Sequence, residues 1–524
     1  MSFTGQIAQV PIGISGQTGT KNQTQVLPSH LITTDNITYE NGTLQKEGGA
    51  SKINSTALST DVIAGWDWHP VIGDQRQIVV TDDGKVYREP DNGIYAEIAT
   101  GLTVTGITPV FVEGGAEVAA NDKKLFLLSG SNSVKVLSGD GTSLSNISNP
   151  PADWSGSDHP TAGVIHENRF WAFGNASDPH RVYASLATDH EDFTTTPLQF
   201  SVFPGEGERI IAGASFKGLL ILAKFPRGLY IINTTDPDTT NWKISKHSEN
   251  IGMASPLAWV AIDDDILFMD SSGSFQILST ITEFGNLGNR NLSQTVDWDA
   301  FMRTNINKGQ LDKVQAVYYV EKNLAMFAVA EAGQTLNSSI IGIDFNIPDQ
   351  PRFRFSTRDD PTALWLRRDG DDIYRPAIGD PDGFTWDLDT LVRSKDGSGY
   401  IGSFRTPNDD LSELAPELGT KRKNFHFLEL VVEPEGNWDL TVEVYIDDAL
   451  SQIVTFNMGI DAGTLGSFVL GTDALGGDTL ISRKRRINGS GRRISLRGSN
   501  SGVAQDFSIG RFYIHFTVSD ERIE

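Results

Sequence analysis

The chain has 524 residues, 38% of them hydrophobic and 21% charged, with 52 glycines, no cysteine and a formal charge of −24. Its length exceeds one ordinary compact core and calls for a large closed β-architecture or two to three domains. Without cysteine, disulfides, thiolate nucleophiles and cysteine-ligated zinc or iron–sulfur centres are excluded, and a charge this negative opposes a tight grip on nucleic-acid phosphates.

Residues 1–60 are polar and hold few strand-length apolar runs, so an extended N-terminal arm or strap is expected there. Within it, Asn41-Gly42 between β-forming residues reads as a hairpin turn. The first six residues carry no basic or apolar leader, and no stretch approaches the ~20 apolar residues of a membrane helix. A soluble chain made without an export signal and without membrane insertion is expected.

From 61 to 404 one local design recurs: an apolar or alternating strand, a glycine turn, then an aromatic residue. Examples are Ile78-Val79-Val80-Thr81-Asp82-Asp83-Gly84-Lys85-Val86-Tyr87, Ile266 to Phe275 through Gly273, and Asp380-Pro381-Asp382-Gly383-Phe384. Further strands are predicted at 124–128, 134–137, 219–222, 229–232, 316–320, 324–329 and 340–344. Hairpins this dense predict an all-β fold, a β-propeller whose blades surround a central channel, with a blade number that no regular period reveals. Helices are predicted only at 298–306 and 409–418. At 405–524 the strands 424–432, 440–446, 451–456, 467–470 and 507–518 alternate as in a platform-like C-terminal β-sandwich. Val442, Val444 and Ile446 should face one way, and Thr441, Glu443 and Tyr445 the other.

Catalytic patterns are scarce. No G-x-x-x-x-G-K-[ST], G-x-S-x-G or H-E-x-x-H motif occurs, Gly205-Glu206-Gly207 lacks a dinucleotide-site context, and none of nine histidines lies four residues from another. Asp263-Asp264-Asp265, Asp359-Asp360, Asp369 with Asp371-Asp372, and Asp380 with Asp382 are the best enzyme case, as a Ca²⁺ loop or a glycosidase pair. The stretch Asp382-Gly383-Phe384-Thr385-Trp386 loosely matches a sialidase Asp-box turn, and Arg352, Arg354, Arg367 and Arg368 leave an arginine triad open. The competing reading is that aspartates before glycine close hairpins with their own side chains. No catalytic residue, cofactor or metal is assigned.

Against the acidic background, Arg483, Lys484, Arg485, Arg486, Arg492, Arg493 and Arg497 form one basic run, and Lys421, Arg422 and Lys423 a second. Three readings stand: cations blunting an edge strand, arginines docking on acidic surface of a neighbouring copy or an adaptor, or contact with DNA phosphates. The subunit-contact reading is preferred, because so acidic a chain needs local positive surface to pack against itself.

An ordered set of features resembles the propeller of bacteriophage tail nozzle proteins, also called packaged-DNA stabilisation, head-closure or tail tubular proteins of short-tailed phages. It comprises Asn168-Arg169-Phe170-Trp171, Arg181-Val182-Tyr183-Ala184-Ser185 with Asp192-Phe193, Ile251-Gly252 with Ser255-Pro256, Phe268-Met269-Asp270 with Gly273, and Arg422-Lys423. The resemblance implies a structural virion protein of the tail, made in the host cytoplasm, and not an enzyme. It would form a homo-oligomeric ring, usually a hexamer, below the portal and adaptor (head-completion) proteins, with tail fibres or spikes attached. Packaged DNA would be retained before infection and then conducted through the bore without sequence-specific binding. The alternatives are a glycan-binding or glycan-hydrolysing, sialidase-like propeller and a generic interaction propeller. A glycan site predicts clustered Trp and Tyr with two or more carboxylates at the hub, and the nozzle reading an open, polar channel.

Overall fold

Seven four-stranded antiparallel sheets form a ring in the computed structural model. It describes residues 5–519 except 11, 21, 24, 41, 72–73, 91, 105, 116–122, 206, 237, 282–285, 348–349, 370–372 and 460–479. Blades 1 to 6 occupy 62–99, 110–146, 162–201, 209–248, 259–291 and 315–356, and blade 7 occupies 363–390. Contacts between the first strands of blades 1 and 2, 2 and 3, 3 and 4, 5 and 6, 6 and 7, and 7 and 1 set these strands around one axis.

The second strand of each blade explains why apolar runs outnumber clean alternations. In Lys124–Leu128, Leu125 and Leu127 pack with Ile78 and Val80 of blade 1, whereas Phe126 and Leu128 pack with Phe170 and Trp171 of blade 3. Both faces meet a neighbouring blade, so both are apolar. Similar clusters join blades 3 and 4 (Trp171 with Leu220), 4 and 5 (Ile221 with Phe268), 5 and 6 (Phe275 with Phe327), 6 and 7 (Met326 with Ile378), and 7 and 1 (Trp365 with Val79). The ring is therefore closed by seven junctions of buried side chains among the described residues.

The repeated glycine turn is one hydrogen-bonding device used three times. Gly84, Gly273 and Gly383 have φ of +78°, +88° and +80° and donate to the carbonyls of Thr81, Asp270 and Asp380. Asp380 Oδ1 accepts from the amides of Asp382 and Phe384, and its Oδ2 from Trp386 Nε1 at 2.8 Å. Asp270 repeats the pattern with Ser272, Ser274 and Gln276. These carboxylates are occupied in closing turns.

The last blade is completed from the other end of the chain. Gly49–Lys52 pairs with Thr385–Thr390, Ala50 opposite Leu388 and Lys52 opposite Trp386. The preceding residues are woven into the second domain instead of forming the separate arm expected at 1–60. Gln6–Val10 pairs with Ser508–Val518, Ile37–Glu40 and Thr43–Lys46 extend the same sheet, and Thr33–Asp35 pairs with Gly402–Arg405. That sheet continues through Lys423–Glu433 to Ile481–Gly491. The opposing sheet runs through Ile494–Asn500 and Asp439–Ile446 to Ala449–Asn457. Val442, Val444 and Ile446 point into the sandwich core with Leu428, Leu430, Phe512 and Ile514, and Thr441, Glu443 and Tyr445 face away. The strand expected at 467–470 lies outside the described residues.

Propeller and sandwich meet through buried polar groups. Arg358 pairs with Asp359 through two 2.7 Å bonds, donates to the Gly48 carbonyl and lies 4.4 Å over the Tyr400 ring. Lys46, fully buried, reaches Asn500 Oδ1, Gly502 O and Gln505 O, and burial lowers its pKa to about 8.

Of the two predicted helices, Trp298–Asn305 forms and buries Trp298, Ala300 and Met302. The stretch 409–418 does not. Asp409 and Asp410 accept the amides of Leu411 and Ser412, local bonds that compete with a helix, and only the short turn Pro416–Gly419 follows. Burial pushes the Asp409 carboxyl up to about 6. A group whose folded pKa is raised contributes most below its unfolded pKa and loses that contribution as pH rises through about 6. Asp409→Asn, which keeps the acceptor for Leu411, should therefore be more stable than the parent at pH 8 by on the order of 2 kcal/mol. The gap should close by pH 4 in chemical denaturation.

Candidate functional site

Arg483, Lys484, Arg485 and Arg486 of the basic run lie on the outer strand of one sandwich sheet, Arg492 and Arg493 just past it, and Arg497 on a strand of the opposing sheet. Ile481–Gly491 pairs with Lys423–Glu433 on one side, and its other side faces Ala449–Asn457, the outer strand of the opposing sheet. Side chains lace these two edges: Gln452 Nε2 donates to Arg486 O, Arg485 Nε to Thr455 O, and Asn488 N to Gln452 Oε1. Both strands are thus blunted, while the charges themselves stay outside. Lys484, Arg485, Arg486 and Arg492 are exposed, and none of them ion-pairs with a carboxylate among the described residues. Lys484 lies over the Phe427 ring, and Arg486 donates to Asn488 Oδ1. Arg493 is half-buried, Arg483 donates to Gly459 O, and Arg497 approaches Glu443 at 3.6 Å.

The second basic knot divides. Lys421 and Arg422 are exposed, Arg422 bonding to Ser490. Lys423 is a correction to the predicted contact set: it is fully buried, and its ammonium donates to the carbonyls of Asp410, Leu418 and Lys421. A lysine placed among unsatisfied carbonyls becomes an internal staple, because leaving them bare costs more than burying the amine.

The carboxylate clusters do not converge. Asp263 turns a hairpin at φ +45°, Asp359 is held by Arg358, and Asp369 by Arg375. Asp371 and Asp372 lie outside the described residues. Arg352, Arg354 and Arg367 answer three different acids, Asp344, Glu47 and Asp387, and so do not gather as a triad. Among the described residues no three His, Asp or Glu side chains are grouped to hold a metal. His166 sits between Ser215 Oγ at 2.8 Å and Thr234 Oγ1 at 2.6 Å, and burial lowers its pKa, as suits a neutral core histidine.

What sequence reasoning missed is the hub. A recess of about 1060 Å³ opens on the axis, walled by Trp66, Phe111, Trp259, Tyr318, Trp365 and Tyr374 from blades 1, 2, 5, 6 and 7. Trp66 and Phe111 lie 6.5 Å apart, and His69 meets Tyr374 edge-on at 6.4 Å. Trp365 packs flat on Gly65, where a β-carbon would come within 2.3 Å of the indole. Asp67 accepts from His69 Nε2, Gln75 Nε2 and the Arg368 amide at 2.8–3.0 Å, tying blade 1 to blade 7. Glu113 pairs with Lys123 at 3.3 Å. At the far end Gln315 crosslinks three inner strands through Ile63 O, Thr362 O and Leu364 N. Beyond it Val104, Thr108, Lys313 and Asn337 border a void of only about 30 Å³. The hub is thus an aromatic funnel and not the open, polar channel expected of a nozzle propeller. Each aromatic sits on or beside a blade's first strand, a signal readable only once the blades are counted.

The chain is an all-β protein, a seven-bladed β-propeller with a C-terminal β-sandwich. No family model and no curated protein sequence matches it. Among solved structures it is similar to YCF48 from Cyanidioschyzon merolae, at 10% identity over 65% of this chain and 98% of that one, with a TM-score of 0.40. It is likewise similar to BBS1N from its complex with ARL6DN (12%, 67% and 97%, 0.43) and to YCF48 bound to D1 peptide (11%, 67% and 96%, 0.38). No described helix is long and apolar enough to cross a membrane.

Proposed function

We propose that the chain is a structural virion protein, a subunit of a tail nozzle or hub ring that retains packaged DNA and conducts it during ejection. The observation that carries this reading is the exposed cationic strip Lys484, Arg485, Arg486 and Arg492, which ion-pairs with no carboxylate among the described residues, on a chain of charge −24. A surface of that kind complements the acidic remainder of an identical neighbour, as a head-to-tail ring contact requires. Exposed apolar residues beside the propeller–sandwich joint, Leu391 at 91% and Val392 at 57%, supply surface for a permanent interface. In such a ring the bore for DNA lies between subunits, and Gln315 ties the inner strands of blades 6, 7 and 1 together at the hub. Acidic side chains facing it would repel phosphate and let DNA slide.

The aromatic hub favours a second reading, a glycan-binding or glycan-hydrolysing propeller. Hydrolysis by two carboxylates is the weaker form, because Asp67 and Glu113 are both engaged. Negative-stain microscopy and native mass spectrometry of the purified chain should give closed rings. Reversing Lys484, Arg485, Arg486 and Arg492 together to glutamate should leave folded monomers with an unchanged far-UV spectrum. A parent that stays monomeric at its highest soluble concentration overturns the ring.

A further inference from the structure

Ring assembly leaves the hub unused, and the lining restricts what the hub accepts. Trp66, Trp259 and Tyr318 are half-buried and Tyr374 is 47% exposed, so four flat aromatic rings meet solvent inside one recess. Wet apolar surface in a concavity is unfavourable until a ligand covers it. The nearby charges are already answered, Asp67 by three donors and Glu113 by Lys123, which disfavours a strongly charged ligand. Hydrogen-bonding capacity remains at the rim. Neither the second ring nitrogen of His69 nor the Tyr374 hydroxyl has a partner among the described residues.

Flat apolar walls, polar groups at the edge and, among the described residues, charges already answered match a pyranose ring, whose C–H faces stack on indole or phenol while its equatorial hydroxyls reach outward. An apolar peptide would instead need sockets for its side chains and partners for its main chain, whereas a saccharide keeps its outer hydroxyls in water. We infer that the hub is a binding site for a neutral saccharide chain a few units long, held by Trp66, Trp259, Tyr318 and Tyr374 and bound without hydrolysis. This rests on the glycan-binding reading of the hub and is independent of ring assembly.

The test is titration of the full chain with cellohexaose, maltohexaose and chitohexaose, followed by tryptophan fluorescence and calorimetry, with sugar chain length checked by chromatography. At least one hexasaccharide should give a saturable signal. Trp259→Ala and Tyr374→Ala should each weaken it by about tenfold or more at unchanged melting temperature. No saturable signal with any of the three, or binding undiminished in both variants, overturns the site. Preferential binding of the control peptide acetyl-Leu-Phe-Leu-Phe-amide overturns the ligand class, and appearance of shorter sugars overturns binding without hydrolysis. Because rings are scored separately by microscopy, failure of the site and failure of the ring are told apart.

Discussion

A chain that starts at residue 61 should not fold, although the propeller core begins there. Removing 1–60 strips the outer strand Gly49–Lys52 from blade 7 and leaves Thr385–Thr390 as a bare edge at the point where the ring closes. It also removes Gln6–Val10, Thr33–Asp35, Ile37–Glu40 and Thr43–Lys46 from the sandwich sheets. The buried apolar side chains lost include Val10, Ile12, Leu31, Ile37, Tyr39 and Leu44. At about 1.5–3 kcal/mol each, they add up to roughly the whole stability of a domain, about 5–15 kcal/mol. The expected result is aggregated or molten material without a cooperative melt, and co-expression of residues 1–60 as a separate peptide should recover soluble protein. A truncated chain that melts as sharply as the parent would show that the woven strands are dispensable.

Arg358→Met should be the most damaging single change at the joint between the domains. Both side chains of the Arg358–Asp359 pair are almost completely buried, at 4% and 3% exposure, and the arginine also serves Gly48 O and Tyr400. Removing one partner leaves Asp359 as a buried, uncompensated charge, at a cost of about 3–5 kcal/mol. The double replacement Arg358→Met with Asp359→Asn removes that charge and should recover a substantial part of the loss. Urea denaturation of the four proteins in this cycle measures the coupling. Additive effects would mean that the pair contributes little beyond its two separate side chains.

Much of the propeller was legible residue by residue. Lys124–Leu128 and Leu324–Val329 form with the predicted bounds, and Trp298–Asn305 is the predicted helix less one residue. Asp380 closes its hairpin as aspartates before glycine do. The closing strand Gly49–Lys52 was not legible, since four small or polar residues carry no periodic signal and acquire strand structure only from a partner more than 300 positions away. The candidate site was legible in part. Six of the seven cations of the first run sit on or just past one outer strand, as their sequence clustering suggests. Lys423 reads like its neighbours Lys421 and Arg422 yet points inward, because its strand alternation turns it toward three carbonyls. The hub aromatics stayed hidden because they are separated by whole blades.

The amino-acid order alone determined what depends on near neighbours: an all-β chain, hairpins closed by glycine at positive φ, strands apolar on both faces, and a chemistry without thiols. These follow from backbone sterics and side-chain alternation over a few residues. Ring closure decided the rest. Seven blades, the swap of the N-terminal strand into the last of them, the aromatic funnel, and the division of cations between an outer strip and internal staples all arise from contacts across the whole chain. Burial and edge pairing are properties of the assembled surface, and no local window contains them.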